Sequence, residues 1–209
     1  MSPFSVRLFV GRVVLLFGGL FVMAFGTALS IQTSLGTSPI TSIPLVLHLW
    51  RTRWSVGTIT VGMNVVFLLL TAVLRKRASA RQFVQLAFLA YYGACIDWNV
   101  GVLGGVPRLS YPVRLFLTLP GAALAGFGVW AQIRPRLPML PGDGLVKAIS
   151  EVFRFDFSRT KIVFDCLLVA LAVLFSWVTM GTVNGVREGT LVAAVAVGLF
   201  IKLYERLLG

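Results

Sequence analysis

The stretch Thr33-Ser34-Leu35-Gly36-Thr37-Ser38-Pro39-Ile40-Thr41-Ser42 interrupts an apolar chain with hydroxyls, a glycine and a proline. It leads into Ile43 to Trp50, an apolar segment too short to cross a bilayer. A second stretch follows the same plan: Pro135-Arg136-Leu137-Pro138-Met139-Leu140-Pro141-Gly142-Asp143-Gly144 leads into Leu145 to Phe153. Shifting the first half by 102 positions pairs Phe25 with Phe127, Gly26 with Gly128, Ile31 with Ile133, Leu35 with Leu137 and Pro39 with Pro141, then Ile43 with Leu145 and Leu47 with Ile149. Matched breaks at equivalent places in two halves describe an internal repeat.

Around the breaks lie six runs long enough for about 30 Å of hydrocarbon: Leu8 to Ile31, Val56 to Leu74, Phe83 to Leu103, Val113 to Ile133, Ile162 to Thr182 and Thr190 to Leu208. The 209 residues are 57% hydrophobic and only 12% charged, with a mean hydropathy of +0.90. A soluble domain needs roughly 25% charged residues to cover its surface, so soluble enzyme classes are set aside. With three spans per repeat, the second unit enters the membrane in the opposite sense. The expected fold is therefore an all-α membrane protein in a single transmembrane domain, residues 1–209. It holds six transmembrane helices and two short re-entrant or broken helices, in two inverted three-helix repeats at about 8–106 and 112–208.

The formal net charge of +12 fits nucleic acid only if the cations form a stripe with exposed aromatics, and they do not. They gather instead between the apolar runs. With a cytoplasmic N-terminus, 14 of the 19 Lys and Arg residues fall on the inner side, among them Arg75, Lys76, Arg77, Arg81, Arg154, Arg159 and Lys161. Arg51, Arg53, Arg108, Arg114 and Arg187 stay outside. This places both termini in the cytoplasm. Cys95 and Cys166 sit inside apolar runs and read as packing residues, not as a disulfide or metal pair.

Leu35-Gly36-Thr37-Ser38-Pro39, shortly after a Gly26-containing helix, resembles an element of the YczE/YyaS/YitT-like bacterial membrane proteins. Pro141-Gly142-Asp143-Gly144, the helix start from Lys161 to Asp165, and Glu188-Gly189-Thr190 resemble the second half of that family. Members often carry a small residue ahead of the final Gly-Thr, where this chain has Arg187-Glu188. The resemblance implies an integral protein of the bacterial inner (plasma) membrane and supplies no substrate.

Non-helical backbone at membrane depth must be buried in protein or line a watery cavity, because unpaired amides in hydrocarbon cost several kcal/mol each. The breaks are thus the candidate substrate site. Ser38 reads as an N-cap with Pro39 at the first helical position. The helix terminus behind it, with Thr33, Gly36, Thr37, Ser38 and Thr41, suits an anionic group; the plainer reading is an ordinary turn at the outer surface. In the second break Gly142 and Gly144 flank Asp143, read as the N-cap of its helix and as a proton or cation site, with Lys147 and Glu151 as an i,i+4 pair. Asp97 and Asp165 are the other carboxylates placed in the membrane zone, Asp165 one turn from Lys161. Gln32, Asn64 and Gln132 read as interhelical hydrogen-bond residues, His48 as an interfacial residue, and Gly18, Gly19, Gly57, Gly62, Gly93, Gly121, Gly126 and Gly128 as close-packing positions.

No catalytic triad, zinc-binding pattern, Walker loop or dinucleotide fingerprint is present, so the chain is read as no enzyme, with no cofactor and no metal. The expected function is secondary transport or export of a small anionic or zwitterionic solute, coupled to protons through Asp143 or Asp165. The alternative is a non-transporting accessory membrane protein whose basic loops dock a partner enzyme or complex. Expected partners are the lipid bilayer, a small-molecule solute and, as an oligomer, a second copy in a homodimer.

Overall fold

A computed structural model describes residues 3–51, 53–76, 80–133 and 139–208. Among them are eight α-helices and no strand: α1 (Pro3–Gln32), α2 (Pro39–Trp50), α3 (Val56–Arg75), α4 (Ala80–Val102), α5 (Tyr111–Ile133), α6 (Pro141–Phe153), α7 (Phe157–Met180) and α8 (Glu188–Leu208). A 3₁₀ turn, Val106–Arg108, links α4 to α5. Four of the helices, over Val10–Gln32, Val56–Arg75, Tyr111–Ile133 and Arg159–Met180, are long and apolar enough to cross a membrane. Helices α4 and α8 are of similar length but carry more polar residues.

The outward faces are as apolar as hydrocarbon requires. Leu69 and Val73 on α3, Phe116 on α5, Val163 and Val178 on α7, and Leu191 and Leu199 on α8 are all exposed. An apolar surface of that extent belongs against lipid rather than water.

At the centre, α1 crosses α5, and the crossing is possible because the facing residues are glycines. A methyl at Gly26 would lie 2.6 Å from the Gly121 carbonyl oxygen, and one at Gly121 would lie 2.6 Å from Ser30 Oγ. Two turns along, a methyl at Gly19 would meet Ala131 Cβ at 2.5 Å, and one at Gly128 would meet the Gly19 carbonyl at 2.6 Å. The seam excludes side chains, as membrane helices in close contact require. Gly57 and Gly93 make a second such contact between α3 and α4, and Gly126 a third against α8. Gly18 and Gly62 do not share this role, since a side chain at either would meet open space.

Around the seam, α1 also packs on α4 and α5 on α8; α2 lies against α7 and α3, and α6 against α3 and α7. Helices α3 and α4 pair with each other, as do α7 and α8. Exchanging α1 to α4 for α5 to α8 leaves this set of principal neighbours unchanged.

The two short helices begin earlier than the apolar pattern suggests. Each starts at its proline, Pro39 or Pro141, rather than at Ile43 or Leu145. Proline has the helical φ built in and no N–H to leave unbonded in the first turn, so it starts a helix well. At 1.5 Å per residue, α2 and α6 are only about 18 and 20 Å long, well short of a crossing. Helices α1 and α4 begin ahead of their apolar runs, at Pro3 and Ala80. Of the second break, Pro135 to Pro138 lie outside the described residues.

Gly26→Leu should force α1 and α5 apart and lower stability by about 1–3 kcal/mol or more, the cost of overpacking. Gly18→Leu, which meets nothing, should leave the thermal unfolding midpoint in detergent unchanged.

Candidate functional site at the meeting of two half-helices

The starts of α2 and α6 meet inside the protein. A methyl built on Gly142 would lie 3.3 Å from Ile40 Cδ1 and 3.4 Å from Asn64 Oδ1 and Phe67. From this meeting point the two helices run to opposite ends of α3. The end of α2 reaches the start of α3 through His48, whose Nδ1 is 2.7 Å from the Trp54 carbonyl. The end of α6 reaches the end of α3 through Arg75, which donates to Glu151 at 2.7 Å. Two half-helices therefore point their N-termini, each worth about half an elementary positive charge, at one interior region.

The start of α6 is satisfied by amide side chains. Gln132 Oε1 accepts from the Leu140 N–H at 2.9 Å, and Asn64 Oδ1 accepts from the Gly142 N–H at 3.0 Å. Asn64 is fixed in turn by donating to the Thr60 carbonyl at 2.9 Å, and the carbonyl of Met139 accepts from Gln85 at 2.6 Å. Asn64 and Gln132 are thus hydrogen-bond residues as read from sequence, and their partner is the broken backbone.

The N-cap of α6 is Leu140, not Asp143. Because Pro141 takes the first helical position, Asp143 falls in the third, inside the first turn, where its carboxylate is fully buried. There it stands 3.2 Å from Lys161 Nζ. Lys161 also donates to Asp165 Oδ1 at 2.9 Å, the i,i+4 pair expected on α7. All three residues are at most 3% exposed. Apart from the ammonium, the Asp143 oxygens have no hydrogen-bond donor among the described residues. The expected Lys147–Glu151 pair does not form, because Glu151 turns to Arg75 on α3.

One ammonium thus serves two carboxylates, all three groups buried. The positive end of α6 adds to the charge of the ammonium beside Asp143. Close by, Tyr92 and Thr27 share a buried hydrogen bond of 3.1 Å, within electrostatic reach of Asp143 and Lys161. Lys161, Tyr92 and Thr27 were not singled out as site residues from the sequence. For Lys161 the signal was present: a lysine one turn from an aspartate inside an apolar helix.

The first break is closed differently. Gly36 has a φ of 115°, a left-handed conformation that favours glycine, and any side chain there would strike Thr190. The Thr37 N–H donates to Thr190 Oγ1 at 3.1 Å, and the Gly189 N–H donates to the Leu35 carbonyl at 2.8 Å. Arg114 donates to the Thr33 carbonyl at 3.2 Å, and Arg187 to that of Ser34 at 3.3 Å. Ser38 is the N-cap of α2, as expected, but its hydroxyl bonds to Thr41 Oγ1 at 2.9 Å instead of a backbone amide. Thr33, Thr37 and Thr41 are buried, and Thr37 Oγ1 has no partner among the described residues.

Asp97 stands apart from the cluster. Its carboxylate accepts from the Gly57 N–H at 2.9 Å and from Ser55 Oγ at 2.7 Å, tying α4 to the start of α3. Gln32 likewise ties α1 to α4, donating to the Val100 carbonyl at 2.5 Å. Gly144 lies beside Gln85 Nε2 in ordinary contact. Of the two free cysteines, Cys95 is packed in the core while Cys166 is exposed on α7.

An all-helical protein with membrane-length apolar helices and a buried charge cluster is the class these features define. The chain belongs to a family of unknown function (DUF6198), whose model matches residues 10–206. It is also similar to the uncharacterized protein YyaS of Bacillus subtilis (strain 168), 26% identical over 191 residues, which cover 90% of this chain and 91% of that one. No solved structure matches.

Lys161→Met strands two buried carboxylates and should destabilise the protein by about 3–5 kcal/mol. Adding Asp143→Asn and Asp165→Asn to that variant should restore most of the loss. Glu151→Gln, which breaks an exposed pair, should cost no more than about 1 kcal/mol. Denaturant unfolding in mild detergent measures all three.

Proposed function

We propose that this chain is a proton-coupled secondary transporter of a small anionic or zwitterionic solute. The observation that carries the reading is the meeting of the α2 and α6 starts at Ile40 and Gly142, next in sequence to Asp143 of the buried Asp143–Lys161–Asp165 cluster. In this account α1 to α4 and α5 to α8 are inverted repeats, each with three spans and one half-helix, and both termini are cytoplasmic. The symmetric set of helix neighbours and the equivalent glycines Gly19 and Gly121, Gly26 and Gly128 support the repeat. Paired broken helices at a repeat interface are where secondary transporters of this design hold their solutes.

Coupling follows from charge balance. With both acids ionised, the one lysine leaves an excess negative charge, and an entering anion adds a second buried one that is costly at low dielectric. A proton taken up by Asp143 or Asp165 cancels it. Anion and proton therefore enter together, the anion's negative group at the α2 start beside Thr37 and Ser38. The unpartnered Thr37 hydroxyl supplies a donor there, and the repeats rock about the α1–α5 seam to open the other side. A zwitterion brings its own cation, which Asp143 or Asp165 can receive once Lys161 withdraws.

The alternative, an accessory protein that docks a partner through basic loops, makes the opposite demand on mutants. Transport should survive neutralising Arg75 and Lys76 and fail when the breaks change; docking should do the reverse.

Proteoliposomes with an internal pH dye, challenged with small carboxylates, amino acids and inorganic anions, test the proposal. One class should acidify the lumen, with the rate falling at least about tenfold in Asp143→Asn and in Thr37→Val, a loss of roughly 1.4 kcal/mol or more in the barrier. Full transport by a variant carrying Ser38→Leu and Asp143→Asn together would refute it.

A further inference from the structure

A groove of about 530 Å³ lies where α6 hands over to α7, outside the charge cluster. Its walls are apolar, formed by Ile149, Val163, Phe164 and Leu167, with Arg154 and Arg159 among the residues at its edge. Val163 and Leu167 are 69% and 54% exposed on the outward side of α7, so the groove continues the lipid-facing surface. Beside it Phe153 and Phe155 stack with ring centroids 6.0 Å apart, both exposed.

The charges at the edge do not cancel one another. Asp156 Oδ1 is engaged by the Arg159 N–H at 3.0 Å as the cap of α7. Arg154 and Arg159 are exposed, and neither guanidinium forms an ion pair with a carboxylate among the described residues. Arg154 also closes α6 with a φ of 58°, the position where glycine is the usual residue. An arginine there accepts a left-handed conformation that disfavours an L-residue.

From this arrangement we infer that the groove is a binding site for an anionic glycerophospholipid. The phosphate sits between the guanidiniums of Arg154 and Arg159, and one acyl chain lies along Val163, Phe164 and Leu167. The charge of the edge selects against zwitterionic lipids. The apolar walls select against a free phosphate, which has nothing to place there. The inference is independent of any transported solute.

Native mass spectrometry of the full chain, exchanged into equimolar phosphatidylglycerol and phosphatidylcholine, tests it. The wild type should retain phosphatidylglycerol over phosphatidylcholine with a preference of about fivefold per arginine, each cation near the surface contributing about that factor. In Arg154→Gly with Arg159→Gln the preference should fall to near parity, while the fold is kept, since glycine suits the α6 end. A control with Lys76→Gln and Lys202→Gln removes as much charge elsewhere and should keep the wild-type preference. Equal loss in both variants, no preference in the wild type, or displacement of the lipid by millimolar inorganic phosphate would each overturn the inference.

Discussion

Two helix N-termini brought face to face in a buried interior repel each other unless negative charge is placed near them. The structure depends on how that is met. Asp143 stands in the first turn of α6, Asp165 on the neighbouring α7, and Lys161 holds the two acids apart while bridging them. Each part requires the others. Without the carboxylates, the ammonium and the helix ends would leave uncompensated positive charge; without the lysine, two acids would sit close together at low dielectric. Such an arrangement is weak evidence for stability, since apolar residues of similar size often serve as well. Its presence in the heart of the bundle argues for a use.

The two halves share a plan and differ in their chemistry. At the second break, amide side chains bond the backbone and a carboxylate takes the helix end. At the first, hydroxyls and the start of α8 do that work, and the corresponding turn carries no acid. Around them the α1–α5 glycine seam brings the two units into backbone contact, which leaves room for sliding but none for side chains. Symmetric helix neighbours thus surround a centre that is asymmetric in charge.

Much of this was legible in the sequence. The helices, their order and the two breaks followed from apolar run lengths and from paired Gly and Pro residues, because those signals are local. The Lys161–Asp165 pair was visible for the same reason, being one helical turn long. What failed was long-range. Asp143 reads as a cap in isolation, but Pro141 shifts the helix start and turns the carboxylate to a lysine on another helix. Glu151 has a plausible partner in Lys147 and chooses Arg75 across a helix interface. Asp97 looks like a membrane-buried functional acid and instead receives the amide and hydroxyl at the start of α3. Spacing gives the neighbours along a helix; only packing gives those across it.

The central claim, that α2 and α6 meet start to start, can be tested in native membranes with a cysteine pair. With Cys95 and Cys166 replaced, Ile40→Cys and Gly142→Cys should be joined rapidly by a short bis-thiosulfonate reagent, whereas Leu49→Cys and Val152→Cys, at the far ends of the two helices, should not. Absence of the first cross-link in a protein that remains folded and monodisperse, or formation of the second, would contradict the account.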